Sequence, residues 1–309
     1  MINFESMANV DGVITSAADA RVPIMDRGFL YGDSIYEVFR TYRGIPLFHD
    51  EHWARFQRSA KLAHLTLAIS KDQIIDEIRR TVQATNAAEQ NRDLYVRYIV
   101  TRGEGPVDLF PRPELTTRYV IIVKELPEWD PEFLRVGLRL AIPETRRNAI
   151  NSLDPNIKGG NYLNNVLGII EARMLGADDC VMLNDSGLIT EASTSNIFFV
   201  MHDEKVLVTP AETAGHLRGL TKAAVEKLCV KHDLQLSAKD ITTDLLLHTT
   251  ECFLTSSTRE IMPVSSLRLP SGDVLRYPDG GGSITRQVIG HYQAFIDDYL
   301  KDYEHLCLF

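Results

Sequence analysis

Lys158 stands in a setting that favours chemistry over simple solvation. It belongs to residues 154–173, "DPNIKGGNYLNNVLGIIEAR", where a loop-like stretch meets a helix that is apolar on one face. Gly159 and Gly160 allow another group to approach the backbone closely. A lysine amine in a cleft loses its proton more readily and attacks carbonyl groups. Lys158 is therefore a candidate for Schiff-base chemistry, although most lysines are solvated surface charges.

Two further segments carry groups that pyridoxal phosphate, the commonest user of such lysines, would need. Its ring nitrogen needs an acid, and Glu191 follows a strand-like run in "LITEASTSNIFFV". Its phosphate needs an anion site. Leu220 and Thr221 lie where "GHLRGLTKAAV" turns from loop to helix, so N–H groups and a hydroxyl face outward together. Taken singly, these segments also suit a turn carboxylate and an ordinary helix cap.

A third segment, "CFLTSSTREIMPV", ends a strand with Ser257 and Thr258. Such a turn presents backbone N–H groups to an anion, although its composition also suits a plain polar turn. The four cysteines are far apart and form no CxxC motif, which argues against a metal site or a disulfide framework. Because they have apolar neighbours, we expect them to be reduced and in or near the core. This favours the cytoplasm as the compartment.

Length and charge restrict the class of protein. A chain of 309 residues is too long for one ordinary core and suits two domains. The net charge of −9 argues against a nucleic-acid-binding protein. No apolar run approaches the ~20 residues that span a bilayer, and the N-terminal residues lack the pattern of a secretory signal. We therefore expect neither a nucleic acid nor a membrane as partner.

The order of helical and strand patterns predicts an α+β protein. Residues 1–125 combine alternating, strand-like segments with two amphipathic helices, which predicts a small α/β domain with mainly antiparallel strands. Residues 126–133, which include "PEWDPEF", are typical of a linker. Residues 134–309 combine short strands and tight turns with amphipathic helices, which predicts a larger domain with a barrel-like sheet and flanking helices.

In their order and spacing these motifs resemble one family, the fold-type IV pyridoxal-phosphate enzymes known as class IV aminotransferases. The family includes branched-chain and D-amino-acid aminotransferases, (R)-amine transaminases and aminodeoxychorismate lyases. The likeness runs from "DRGFLYGDSIYEVFR" to "STREIMPV", nearly the whole chain. It implies a two-domain fold that binds pyridoxal 5'-phosphate and exchanges amino groups by a ping-pong scheme. It also implies a homodimer in which a loop, here "TRGEGPVDLF", closes the site of the other subunit.

The resemblance assigns a role to each matching residue on the cofactor side. Lys158 matches the family's Schiff-base lysine, which also carries a proton between substrate and cofactor. Glu191 matches the carboxylate that pairs with the pyridine nitrogen. The other matches would hold the phosphate or surround the ring: Arg55, Leu220, Thr221 and Thr258 at the phosphate, Tyr162 beside the phenolic oxygen, and Asn196 in the shell around the ring.

On the substrate side the resemblance points in two directions. Tyr95 and Arg97 match positions that help to bind the substrate carboxylate in branched-chain aminotransferases, which favours branched-chain-type L-amino acids. Val38 stands where those enzymes usually have glycine and resembles the D-amino-acid branch. However, the loop "EGPVDLFP" lacks the arginine and histidine with which D-amino-acid enzymes trap the carboxylate.

Several interpretations of the pocket therefore stay open. Arg259 replaces a small residue that is common in branched-chain enzymes, and it either reaches a substrate carboxylate or faces solvent. The other predicted pocket residues are Tyr31, Tyr36, Arg40 and Ser257. A D-amino-acid or (R)-amine transaminase is the first alternative. A lyase that needs no keto acceptor and a non-catalytic protein that kept the fold come after it.

Overall fold

The computed structural model describes residues 4–90, 92–202 and 206–309. These residues form two compact units. Within the three described ranges, no helix is both long and apolar enough to cross a membrane.

Each unit draws on more than one part of the chain. Unit one combines the described part of Met1–Pro127 with Ile157–Asn161 and Asp298–Phe309, and unit two combines Glu128–Asn156 with Tyr162–Asp297. The division expected from the sequence is contiguous, whereas unit one includes two short segments from the C-terminal half of the chain. Hydrogen bonds that tie these segments to the N-terminal residues account for the difference.

Unit one is built on an antiparallel sheet. Its described residues form six strands, β1 (Met7–Val10), β2 (Val13–Ser16), β3 (Ser34–Tyr42), β4 (Ile45–Pro46), β5 (Leu94–Thr101) and β6 (Arg118–Glu125). The strands follow the order β2-β1-β6-β5-β3-β4, with every pair antiparallel as the sequence predicts. The helices are α1 (Arg27–Tyr31), α2 (His49–Leu62), α3 (Lys71–Gln83) and α4 (Ala87–Gln90).

Helix α2 covers one face of this sheet because its apolar residues recur at helical spacing. Trp53, Phe56 and Ala60 are buried, as that spacing predicts, and they belong to one core cluster with Phe39 of β3. Full burial of a phenylalanine side chain stabilises a fold by about 1.5–3 kcal/mol, so Phe39 and Phe56 anchor the helix to the strand.

Unit two contains a second, larger sheet. Its described strands are β7 (Leu138–Ala141), β8 (Asp179–Leu183), β9 (Ile189–Ala192), β10 (Asn196–Met201), β11 (Leu207–Pro210), β12 (Leu236–Lys239), β13 (Thr249–Ser256), β14 (Glu260–Arg268) and β15 (Val274–Arg276). The helices that start in this unit are α5 (Pro131–Arg135), α6 (Leu163–Met174), α7 (Leu220–Lys231), α8 (Thr243–Leu246) and α9 (Ser283–Asp302). Short 3-10 turns form at Glu212–Ala214 in this unit and at Glu304–Leu306 in unit one.

The larger sheet curls so that its last strand reaches the chain just beyond its first strand. The strand order is β12-β11-β10-β13-β14-β7-β8-β9, with β15 beside β14. Ile189 N in β9 donates a hydrogen bond of 2.8 Å to Ile241 O, just after β12. A hydrogen bond thus joins the last strand of the order to the residues that follow the first, and the predicted α+β fold with a barrel-like sheet is confirmed.

The segment "LITEASTSNIFFV" has the pattern of a single strand, but it forms two strands. Residues 193–195 make a turn between β9 and β10, closed by a hydrogen bond of 2.8 Å from Ala192 N to Ser195 O. Asn165 Nδ2 of α6 donates to Ser193 O at 2.7 Å and fixes the turn from outside. Glu191 and Asn196 therefore lie on either side of a tight turn instead of along one straight strand.

Candidate functional site

The segment that carries Lys158 pairs with strand β3 through backbone hydrogen bonds. Tyr36 N donates a hydrogen bond of 2.9 Å to Lys158 O, and Gly160 N donates one of 3.0 Å to Ser34 O. Lys158 N donates to Ser59 Oγ of α2 at 3.1 Å. A Cβ atom on Gly160 would lie 2.5 Å from Ser34 Oγ. A side chain at position 160 would therefore require Ser34 to adopt another rotamer, because the segment lies close to β3.

The Lys158 amine and the Arg97 guanidinium both lie close to the aromatic ring of Tyr36. Lys158 Nζ lies 3.3 Å from the Tyr36 hydroxyl and 4.5 Å from its ring centroid. Arg97 Cζ lies 3.9 Å from the same centroid. In the described parts of the chain Arg97 makes no ion pair, and its Nε atom is buried without a hydrogen-bond partner. A guanidinium without a counter-charge beside an amine can accept an anionic group.

The remaining substrate residues predicted on β3 and β5 share this face of the sheet. Residues directly opposite in an antiparallel pair point to the same side, and here Val38 lies opposite Arg97 and Arg40 opposite Tyr95. Unlike Arg97, Arg40 has a carboxylate partner among the described residues. Its Nη2 is 3.4 Å from Asp93 Oδ2, and its Cζ is 4.1 Å from the Tyr42 ring centroid.

Arg55, the predicted phosphate ligand of unit one, lies in a buried cluster under α2. Its Nε and Nη2 atoms each donate a hydrogen bond of 2.7 Å to the carboxylate of Glu37. His52 Nδ1 is 2.7 Å from Glu37 Oε2. Glu37 was not singled out in the sequence, although a carboxylate between the strand residues Tyr36 and Val38 is unusual at a buried position.

Mutual contacts set the ionisation of this cluster. Burial alone would raise the pKa of Glu37, but the charge and hydrogen bonds of Arg55, and then those of His52, hold it well below its usual range. Burial lowers the pKa of His52, and the Glu37 charge opposes that shift without reversing it. At neutral pH, Glu37 is therefore ionised and His52 is a neutral imidazole that donates from Nδ1.

Glu191, in unit two, is a buried carboxylate with both oxygens engaged. Arg147 Nε donates to Oε1 at 3.1 Å, and Leu217 N donates to Oε2 at 3.2 Å. Arg147 belongs to "ETRRNAI", which resembles an exposed charged loop, so no local pattern singles it out. The two contacts fix the orientation of the carboxylate.

An anion cradle lies at the start of α7. Leu217 O accepts a hydrogen bond of 2.8 Å from Asn196 Nδ2, so one backbone segment links Glu191 to Asn196. Gly219 precedes the helix without a side-chain cap, and a Cβ there would overlap Asn196 Oδ1. Thr221 Oγ1 is buried without a hydrogen-bond partner. An uncapped helix start with an orphaned hydroxyl fits a phosphate group.

The predicted turn at 257–259 joins β13 to β14. Trp129 Nε1 donates to Thr258 O at 3.2 Å. Arg259 pairs with the fully buried carboxylate of Asp179, and its Cζ lies 4.9 Å from the Trp129 ring centroid. The guanidinium is therefore held inside unit two and does not simply face solvent. Asp179 could not be recognised from sequence, because it opens an apolar strand.

Two predicted aromatic residues lie at helix ends. Tyr31 is the last residue of α1, and its ring centroid is 4.8 Å from Arg27 Cζ. Gly32 follows in the left-handed region, with φ of 66°, and ends the helix. Tyr162 is the half-buried residue immediately before α6. Of the predicted residues, the structure thus brings Lys158 and Arg97 together on Tyr36 in unit one, and links Glu191 to Asn196 beside the start of α7 in unit two.

Comparisons with known proteins identify the family of the chain. The family model described as "Amino-transferase class IV" matches residues 34–267, more than half of the chain. A provisionally assigned branched-chain-amino-acid aminotransferase of Methanocaldococcus jannaschii is 33% identical over 82% of this chain and 85% of its own. A D-alanine aminotransferase of Bacillus licheniformis is 30% identical over 83% of this chain and 87% of its own.

Solved structures show the same fold. The branched-chain amino acid aminotransferase of Escherichia coli matches with a TM-score of 0.84 at 25% identity, over 95% of this chain and 94% of that one. Another branched-chain amino acid aminotransferase, solved with pyridoxamine 5'-phosphate, matches with a TM-score of 0.83 at 24% identity, over 98% of this chain and 97% of that one.

The buried ion pair of Glu37 predicts a pH-dependent loss of stability. Glu37→Gln should lower the free energy of unfolding by about 3–5 kcal/mol at pH 7, because Arg55 stays buried without its counter-charge. The pKa of Glu37 is lower in the folded than in the unfolded chain, so its contribution is present above its ordinary pKa of 4.5 and is lost as the pH falls below it. Urea unfolding measured from pH 7 down to acid pH checks this. The difference in the free energy of unfolding between wild type and variant should become smaller below that pH.

Asp50→Asn is the matched control. Asp50 also pairs with a cation, Lys71, but the pair is exposed, so its removal should change stability little. An equal loss in both variants would contradict the role of the buried pair.

Proposed function

Because the chain belongs to the class IV aminotransferase family and is a pyridoxal-phosphate-dependent transaminase, we propose that it acts on branched-chain-type L-amino acids. Donor and 2-oxo acid acceptor would use one pocket in turn. The observation that carries the proposal is the Arg97 guanidinium on the Tyr36 ring, next to the Lys158 amine. A cation beside a reactive amine suits a substrate that carries a carboxylate and an amino group on one carbon.

Lys158 is the proposed catalytic residue. Pyridoxal phosphate, when bound, supplies the electron sink that allows a proton to leave the substrate α-carbon. Lys158 Nζ would hold the cofactor and, once released, would take that proton from the α-carbon and deliver it to the cofactor's C4′ atom. Tyr36 supports this role, because its hydroxyl lies 3.3 Å from Nζ and orients the amine.

The residues of unit two would orient the cofactor ring and its phosphate. Glu191 would pair with the pyridine nitrogen, with its own orientation fixed by Arg147 and Leu217 N–H. The start of α7, with Leu220 N–H and the Thr221 hydroxyl, would hold the phosphate. By resemblance, the other cofactor residues are Arg55 and Thr258 at the phosphate, Tyr162 at the phenolic oxygen and Asn196 around the ring.

The alternative specificity has an observation of its own. Val38 lies opposite Arg97 in the β3–β5 register, so its branched side chain would narrow the pocket beside the carboxylate. That position favours a D-amino-acid or (R)-amine transaminase, in which substrate would enter in the other orientation. The remaining proposed pocket residues are Tyr31, Arg40, Tyr95, Ser257 and Arg259.

A homodimer is the proposed assembly. Helix α6 presents a stripe of apolar side chains that are 45–81% exposed, formed by Leu163, Val166, Leu167, Ile170 and Met174. Their spacing keeps them on one side of the helix, and a continuous apolar stripe of this size marks an interaction surface. A second copy of the chain would cover it. Cys180, Cys229 and Cys252 are buried free thiols, which suits the proposed cytoplasmic compartment.

A spectral half-reaction tests the proposed substrate. Protein with pyridoxal phosphate is mixed separately with L-leucine, D-alanine and (R)-1-phenylethylamine, and loss of the visible cofactor band is followed. We expect L-leucine to react fastest. Arg97→Met should slow it by about 10- to 100-fold, the effect of one charge-assisted hydrogen bond. The amine carries no carboxylate, so whatever rate it shows should not change in this variant.

Arg92→Met is the matched control, since Arg92 pairs with Glu125 near the protein surface. Faster reaction with D-alanine or the (R)-amine would instead favour the alternative specificity. Full transamination by Lys158→Ala would refute the catalytic assignment.

The cradle at α7 predicts a change in cofactor affinity. In Gly219→Ala the new Cβ would overlap Asn196 Oδ1, so Asn196, which is bonded to Leu217 O beside the helix start, or the helix start itself must shift. The dissociation constant for pyridoxal phosphate should rise about tenfold or more, equivalent to about 1.4 kcal/mol. Spectral titration of apoprotein measures it, with Gly290→Ala as control because nothing lies within 4 Å of a Cβ there. Unchanged affinity would place the phosphate elsewhere.

The apolar stripe predicts the effect of a charge on assembly. Ile170→Glu should convert a dimer into monomers, because an unpaired carboxylate would be buried in the interface. Sedimentation equilibrium reads out the mass of each variant. Val230→Glu, on an exposed part of α7, should leave it unchanged. A monomeric wild type, or a dimeric Ile170→Glu variant, would contradict the proposed dimer.

A further inference from the structure

Arg27 is an arginine buried to an unusual degree for its type. Only 3% of the residue is exposed, and every nitrogen of its guanidinium has a partner. Nε lies 3.1 Å from Asp33 Oδ2, Nη1 donates to Asp108 O at 2.5 Å, and Nη2 donates to Leu109 O at 2.9 Å. A buried guanidinium persists only when it is fully satisfied in this way. Arg27 therefore joins the residue before β3 to a segment much later in the chain.

The segment to which Arg27 donates makes few other hydrogen bonds. Residues 106–115 lie between β5 and β6 and contain no helix or strand. Local hydrogen bonds join Asp108 N to Pro106 O and Phe110 N to Asp108 Oδ1. In the described residues, the two bonds from Arg27 are the only hydrogen bonds that reach this segment from outside it. The hydrogen bonding of the segment to the rest of the described chain thus depends on one side chain.

The same segment exposes three large apolar residues. Val107, Leu109 and Phe110 are 69–77% exposed. Apolar side chains held out in water at neighbouring loop positions are typical of a surface that another group covers. The three residues are part of "TRGEGPVDLF", the loop that would close the site of the second subunit.

We propose that Arg27 is a positioning residue, which orders residues 106–110 before substrate arrives and thereby sets the affinity for substrate. This proposal rests on the proposed function and on the proposed dimer. A segment that is already ordered loses less conformational entropy when it closes over a ligand, so the binding is tighter. Removal of the two Arg27 bonds should therefore raise KM and leave the rate of the chemical step almost unchanged.

The test uses the enzyme loaded with pyridoxal phosphate. Arg27→Met keeps the length of the side chain and removes its donors, whereas Arg27→Lys keeps the charge but lacks the fork that reaches two carbonyls. Hydrogen–deuterium exchange of the two hydrogen-bonded amides of the segment, Asp108 N–H and Phe110 N–H, without substrate reads its order directly. We expect exchange at least about tenfold faster in both variants, a KM about tenfold higher and a kcat within about twofold of wild type.

Arg102→Met is the matched control. Arg102 shares Asp33 with Arg27, at 2.7 Å, but its other donors go to the carbonyls of Ala63 and His64. It should leave exchange of the Asp108 and Phe110 amides unchanged. Phe110→Ala is a second variant that leaves the Arg27 bonds intact. It should raise KM without faster exchange, which keeps the proposal testable even if Arg27→Met does not fold.

The two readouts separate the different failures. Unchanged exchange in Arg27→Met would overturn the positioning role, whatever the substrate is. Faster exchange with unchanged KM would overturn the link between the segment and substrate affinity. Absence of transamination by the wild type would refute the proposed function, and the exchange result would still decide whether Arg27 orders the segment.

Discussion

The pairing of the Lys158 segment with the edge of β3 is the constraint on which the reactive group of unit one depends. Tyr36 N bonds to Lys158 O, so the lysine and the tyrosine are neighbours through their backbones before any side chain meets. The strand register then adds Arg97 from β5 on the same face. Backbone hydrogen bonds thus bring together three residues from distant parts of the chain, which is a more rigid support than side-chain contacts in a loop.

The elements that position these residues could be predicted from periodicity. The spacing of Trp53, Phe56 and Ala60 indicates α2, and the alternation around Tyr36 indicates β3; both form as expected. The turn at 193–195 could not be predicted in this way. Its strands look continuous because β-branched and apolar residues flank it, and the bond from Asn165 that fixes it comes from another helix. Tertiary contacts of this kind leave no local pattern in the sequence.

The partners of the charged residues were beyond sequence reasoning for the same reason. Arg55 is held by Glu37, Glu191 by Arg147 and Arg259 by Asp179. One member of each pair carries a motif that can be recognised. The other member can be identified only in the folded chain, where it lies beside the buried charge. The two members of a pair are 18 to 80 positions apart in the sequence. A buried charge requires such a partner, but its identity depends on the folded chain.

The last residues of the chain belong to the core of unit one, and this affects the order in which the protein matures on the ribosome. Leu308 lies in that core, its N–H donates to Gly44 O at 3.1 Å, and the Tyr299 ring meets that of Phe48 at 5.9 Å between centroids. The N-terminal half emerges from the ribosome first, yet its hydrophobic core stays incomplete until these residues have been added. Unit two, whose last residue is Asp297, has its whole sequence synthesised earlier. The core of unit one can therefore be completed only after residues 298–309 have been added.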